Sequence, residues 1–187
     1  MGHTTGTPFI HVYQWSAGSG FGTKYAAPAT FPAGSCSGVA FSPNGFTIAV
    51  VNTYGASFVV AYPWSGSGFG TKYSDPGTPP PTTSYGVAFS PDSSAIAVAH
   101  DGYPYISAYP WSGSGFGTIY SNPATVPTAA GNGVAFSPDG STIAVSHVNY
   151  PYIAVYRWSV SGFGSKYSDP ATPPSGFGNG VAFNTIN

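Results

Sequence analysis

Gly133-Val134-Ala135-Phe136-Ser137-Pro138-Asp139-Gly140-Ser141-Thr142-Ile143-Ala144-Val145, followed by Tyr156-Arg157-Trp158-Ser159, is one copy of a unit that recurs along the chain. Its leading tetrad, Gly-Val-Ala-Phe, stands at 38–41, 86–89, 133–136 and 180–183, at steps of 48, 47 and 47 residues (86 − 38, 133 − 86, 180 − 133). Trp15, Trp64, Trp111 and Trp158 keep nearly the same interval, at 49, 47 and 47. A fixed step of this size marks a repeat architecture in which each unit packs on the next.

Within one period the pattern predicts four strands and no helix. Residues 133–137 form the first strand and Thr142–His147 the second. Ser137-Pro138-Asp139-Gly140 joins them, because Pro presets one dihedral and Asp-Gly tolerates the others that a tight turn requires. Residues 152–158 alternate Tyr152, Ala154, Tyr156 and Trp158 against Ile153, Val155 and Arg157, the period of two of a third strand. Ser161-Gly162-Phe163-Gly164 turns the chain into a short outer strand at 165–167, and Asp169-Pro170 breaks it. Four short strands per period of this length are the layout of a β-propeller blade. The small Gly38, Ala40 and their equivalents suit the crowded axis. Phe41, Tyr62, Trp64 and Phe69 suit the wider gaps between blades.

The expected fold is therefore all-β, a single β-propeller domain over residues 1–187 with four blades of four antiparallel strands. The repeats fall at about 1–51, 52–99, 100–146 and 147–187. His3 aligns with His100 and His147, which end second strands, whereas residues 180–183 form a first strand. Joining the two ends on paper leaves a closing step of 45 residues (7 + 38), close to the other three. Both termini are thus expected to close one seam blade around residues 9–15 and 23–25, with a second strand split between 184–187 and 1–3. The alternative is an eight-bladed ring made by two chains, each supplying half. A seam of this kind is a weak point whose open edges favour self-association.

The run Val134-Ala135-Phe136-Ser137-Pro138-Asp139-Gly140, then Ile143-Ala144-Val145, then Tyr156-Arg157-Trp158, resembles a WD40-like β-propeller repeat over almost the whole chain. Two features depart from that family. Trp158-Ser159 stands where Trp-Asp is common, and no Gly-His dipeptide precedes the first strand. The resemblance implies blade architecture, and not the partners of that family. The Trp-Ser-x-Ser-Gly-Phe-Gly-Thr-Lys-Tyr motif is also similar to phage-associated and environmental propeller repeats.

Composition narrows the function classes. Four basic and five acidic residues, with no Glu, make only 5% of the chain charged and leave a net charge of −1. Typical domains carry about 25% charged residues. Four basic residues cannot build a phosphate-neutralising stripe, so nucleic acid is not an expected partner. Little repulsion separates copies, which favours homo-oligomers or filaments. The single Cys36 rules out a disulfide framework within the chain and a Cys-based metal cluster. No apolar run has the length of a membrane helix, and the start has neither part of a secretory signal. The Gly, Ser, Thr, Pro and Tyr richness points to an extracellular, cell-surface or virion component.

No pairing of acid and base, Ser-His-Asp set, phosphate loop or metal spacing emerges, so no catalytic residue, metal or cofactor is expected. Asp92 and Asp139 match Asn44 in hairpin turns, where turn geometry is their role. Two non-enzymatic classes follow: a structural or assembly subunit, and a carbohydrate-binding propeller with repeated weak sites. The candidate ligand residues are His100, Asp101, Tyr103 and Tyr105, with His147, Asn149, Tyr150 and Tyr152 in the next repeat. Asn132 and Asn179 join them from loops at the same end of the ring. Aromatic faces beside amide, carboxylate and imidazole hydrogen-bonding groups are what a sugar site requires.

Overall fold

The computed structural model describes residues 1–184, and every regular element among them is a β-strand. Strands β1 (Tyr13–Ser16) and β2 (Gly20–Lys24) form a two-stranded hairpin. Three four-stranded antiparallel sheets follow. The first holds β3 (Cys36–Phe41), β4 (Thr47–Asn52), β5 (Val59–Ser65) and β6 (Gly68–Phe69). The second holds β7 (Ser84–Phe89), β8 (Ala95–His100), β9 (Ile106–Ser112) and β10 (Gly115–Phe116). The third holds β11 (Gly131–Phe136), β12 (Thr142–His147), β13 (Ile153–Ser159) and β14 (Gly162–Lys166).

Each sheet is a meander whose register repeats. Ala40 pairs with Ala49 and Ala49 with Ala61, and the next sheet carries Ala88, Ala97 and Ala108 in the same row. These short side chains leave room for the following blade. Val87 and Phe89 of β7 pack into a cluster with Ala49, Val51, Val59 and Ala61 of the preceding sheet. Val134 of β11 does the same against Ala95, Ala97, Ala99 and Ala108. Large residues of each first strand thus fill the hollow that small residues leave in its neighbour, and this apolar burial is the main cohesion between blades.

The turn between first and second strands is held by side chains. Ser42 Oγ, Ser90 Oγ and Ser137 Oγ accept from the backbone N–H of Thr47, Ala95 and Thr142 at 3.0, 2.9 and 3.0 Å. The same hydroxyls donate to Asn44, Asp92 and Asp139. The Asp carboxylates in turn accept from the Ser94 and Ser141 amides. This is the turn role read from the sequence.

The outer strand starts earlier than expected, at Gly162, because Ser159 pairs directly with Gly162 across a two-residue turn. The larger difference lies at the seam. Among the described residues the first hairpin has two strands, and residues 180–183 belong to no sheet. Among the described residues, then, three blades have four strands and closure of a fourth by both termini is not seen. The second-strand segment placed at 185–187 lies outside the described residues. The physical reason for the difference is visible along the axis. A Cβ on Gly86 would sit 2.9 Å from the Gly133 Cα, and one on Gly133 would sit 3.0 Å from the Gly180 Cα. One on Gly180 would meet nothing within 4 Å. First strands step round an arc that has not returned to Gly38.

Candidate functional site

Two regions stand apart from the repeating core. The first is the end of the molecule where second strands run into third strands. His100 and His147, the last residues of β8 and β12, are fully buried rather than presented in loops. His100 Nε2 lies 2.9 Å from Ser107 Oγ. His147 Nδ1 lies 3.5 Å from Thr128 Oγ1, at the limit of a hydrogen bond. Burial pushes the His100 imidazole down to about 4 and lowers that of His147, because a charged ring would lose its hydration. Both therefore belong to the core of the blade, and a ligand at this end would not touch them as the structure stands.

The aromatic residues of the same segments are placed differently. Tyr103 and Tyr150 are exposed, each packed edge-on against Tyr105 and Tyr152 at 6.1 and 6.3 Å between ring centroids. Tyr105 and Tyr152 have left-handed backbone, at φ 71° and 69°, inside tight turns closed by Tyr105 N–H to Gly102 O and Tyr152 N–H to Asn149 O. Non-glycine residues in that region cost about 1–3 kcal/mol, and such outliers gather where geometry serves a purpose. Asp101, Asn149 and Asn179 are exposed. Asn132 is half-buried and donates through Nδ2 to the Gly178 carbonyl at 3.0 Å, so its amide is used between blades. The repeated Tyr pairs are thus the accessible part of the set, flanked by Asp101 in one repeat and Asn149 in the next.

The second region is the edge beside β1. In each full blade a Trp sits in a box of three other rings. Trp64 is contacted by Tyr25, Phe41 and Phe69 at 4.9, 5.2 and 5.1 Å between centroids. Trp111 has Tyr73, Phe89 and Phe116 at 5.1, 5.5 and 4.9 Å. Trp158 has Tyr120, Phe136 and Phe163 at 5.2, 5.2 and 5.1 Å. Trp15, the fourth of the series, packs with Phe21 alone among the described ring pairs. It is 67% exposed and Phe21 is 79% exposed, against 7% for Trp111 and 8% for Trp158.

The cause is the short second strand. Among the described residues only Met1–His3 pair with Phe9–His11 there, and no described strand lies along Tyr13–Ser16 on the side away from β2. Val39 and Phe41, whose equivalents Val87 and Phe89 are buried, stand exposed opposite that gap. Together with Met1, His11, Val12, Tyr13, Phe21 and Ile48 they line an apolar groove of about 640 Å³. The rows of Trp and Tyr marked packing rings in the sequence, but that one box lies half-empty could not be read from it.

Among the described residues no three His, Cys, Asp or Glu side chains gather as metal ligands. Burial pushes the Cys36 thiol up to about 11, which keeps it protonated and poorly nucleophilic.

No protein-family model matches the sequence, and no curated protein does. Solved structures do. The chain is similar to a Lactobacillus plantarum protein, with a TM-score of 0.68 and 15% identity over 89% of this chain and 50% of that one. It is similar to Sqt1 of Chaetomium thermophilum bound to the N-terminus of ribosomal protein L10, with a TM-score of 0.66 and 20% identity over 92% of this chain and 46% of that one. A 6-phosphogluconolactonase-like protein of Bacteroides uniformis matches with a TM-score of 0.61 and 18% identity over 83% of this chain and 49% of that one. The fold is propeller-like and built of repeated units. At these identities the likeness concerns the fold alone, and the chain spans half or less of each of those proteins.

Proposed function

We propose that this chain is a non-catalytic, propeller-like assembly subunit, of the kind that builds a cell surface, a secreted structure or a virion. The observation that supports this reading most directly is the continuous apolar edge of Tyr13, Trp15, Phe21, Val39 and Phe41. Large exposed apolar patches on otherwise polar proteins are association surfaces. A net charge of −1 offers little repulsion to copies meeting there. Asp92 and Asp139 are engaged in turns that recur from blade to blade, which favours a structural over a catalytic use of these two. Sedimentation velocity across a wide dilution range tests the reading. Reversible association with rising concentration is expected, and a strictly monomeric protein refutes it.

A second reading is favoured by the exposed Tyr103 and Tyr150. Two equivalent aromatic faces on one end of the arc, each beside an acidic or amide side chain, suit weak multivalent capture of a glycan. A glycan array with soluble sugar competitors tests it.

A further inference from the structure

The half-empty box around Trp15 has two absent members, and the chain carries a spare for each. In every filled box one ring comes from the segment just after the outer strand of the preceding blade (Tyr25, Tyr73, Tyr120) and one from the first strand of the same blade (Phe41, Phe89, Phe136). The fourth members of these two series are Tyr167 and Phe183. Tyr167 is exposed, with the Arg157 guanidinium over one face at 4.8 Å. The slot for it is equally plain. A Cβ on Gly68, Gly115 or Gly162 would lie 3.3, 3.3 or 2.9 Å from the Tyr of the preceding blade. At Gly20 the place of that Tyr is open, and the nearest atom is on Trp15 itself, at 3.8 Å.

We infer that the last repeat of a second copy fills this place, its Tyr167 and Phe183 closing on Trp15 while its residues 180–183 lie beside Met1–His3 as the missing first strand. The register is set by the full blades. Val134 pairs with Val145 and Gly133 with Ser146, so Val181 takes its place opposite Met1 and Gly180 opposite Gly2. Gly180 then stands over Gly38 of the partner, continuing the glycine contacts that run from Gly38 to Gly86, Gly133 and Gly180.

Closure within one chain would need Gly180 to reach its own Gly38, yet its Cβ direction is empty to 4 Å. The arc also superposes on 46–50% of the propeller-like chains above, so about two such arcs make a full turn. Two copies joined head to tail at both ends give a ring of eight repeats related by a two-fold axis. This inference rests on the assembly reading and names its contact.

Light scattering on fractionated protein tests it with four chains: wild type, Trp15→Ala, Phe183→Ala and Gly180→Val. Wild type is expected at twice the 19.1 kDa chain mass, and each variant at the single-chain mass with an unchanged circular dichroism spectrum. Trp15 is largely exposed and a side chain at Gly180 meets open space, so those variants are expected to fold, and the circular dichroism spectrum checks the same for the half-buried Phe183. A wild-type dimer that persists in all three variants overturns this contact while leaving assembly standing. Dimers lost in Trp15→Ala but kept in Phe183→Ala mean that two β1 edges meet each other, which also overturns it. A monomeric wild type overturns both readings, and its acrylamide quenching tells whether Trp15 is open or has closed on its own chain.

Discussion

Gly86 and Gly133 face each other so closely that a Cβ on Gly86 would lie 2.9 Å from the Gly133 Cα and 2.9 Å from the Asn132 carbonyl oxygen. The obstacle is backbone on both counts, so neighbouring first strands would have to separate to admit even a methyl group. Gly86→Ala is expected to destabilise the fold by about 1–3 kcal/mol, as overpacking does. Gly180→Ala, with open space at the same position, is expected to leave single-chain stability unchanged. Urea unfolding of the two variants at a concentration where the chain is monomeric separates them.

Acid should loosen the blades through His100. The folded chain keeps this ring neutral down to about pH 4, whereas an unfolded chain protonates it near 6.5. The unfolded state binds more protons between those values, so stability is full above 6.5 and falls as pH drops toward 4. For a shift of this size the loss is on the order of 3 kcal/mol. His147 is shifted the same way. Asp139 acts lower, since hydrogen bonds from Ser137 and Ser141 hold it at about 2, and its contribution is lost only as pH falls from 3.8 through that value. Asn52 occupies the place of His100 in the first full blade. His100→Asn should therefore flatten the melting temperature between pH 7 and 4, read by differential scanning fluorimetry.

Three equivalent tyrosines offer an internal control. Tyr62 and Tyr109 are fully buried and donate to the Thr30 and Thr78 carbonyls at 2.8 and 2.9 Å. Tyr156 is equally buried, and its hydroxyl has no hydrogen-bond partner among the described residues. Tyr109→Phe is expected to cost about 0.5–1.5 kcal/mol, and Tyr156→Phe to be neutral or stabilising. Chemical denaturation curves of the two variants make the comparison.

For the glycan reading, Tyr103→Ala should weaken binding without shifting the melting temperature, because the ring is exposed. His100→Ala should do the reverse to stability, since it empties a fully buried position beside Ser107. Isothermal titration with any sugar retained on an array, run beside thermal melts, distinguishes a recognition residue from a core residue.

The strand order within each blade was legible because apolar alternation, the Ser-Pro-Asp-Gly turn and the Trp interval all repeat together. So was the packing use of the aromatic rows. Closure was not. The spacing of Gly38, Gly86, Gly133 and Gly180 counts units but carries no information on the angle between them, and that angle decides how many complete a circle. The histidines misled for a related reason. His100 and His147 border polar, turn-forming residues in the sequence, yet both are fully buried at the ends of β8 and β12, and at His100 a single position separates core from the exposed Asp101.

The tyrosine that follows each outer strand and packs on the next Trp has a consequence for how such chains grow. Tyr25, Tyr73 and Tyr120 each belong by sequence to one repeat and by packing to the following one. The segment copied in a duplication is therefore offset from the segment that folds. A tandem copy of 47 residues, wherever its breakpoints fall, inserts one complete box and leaves every junction chemically like the last. Lineages can lengthen or shorten the arc by whole turns of this register without inventing a new contact, and only the two outermost rings are left to find company elsewhere.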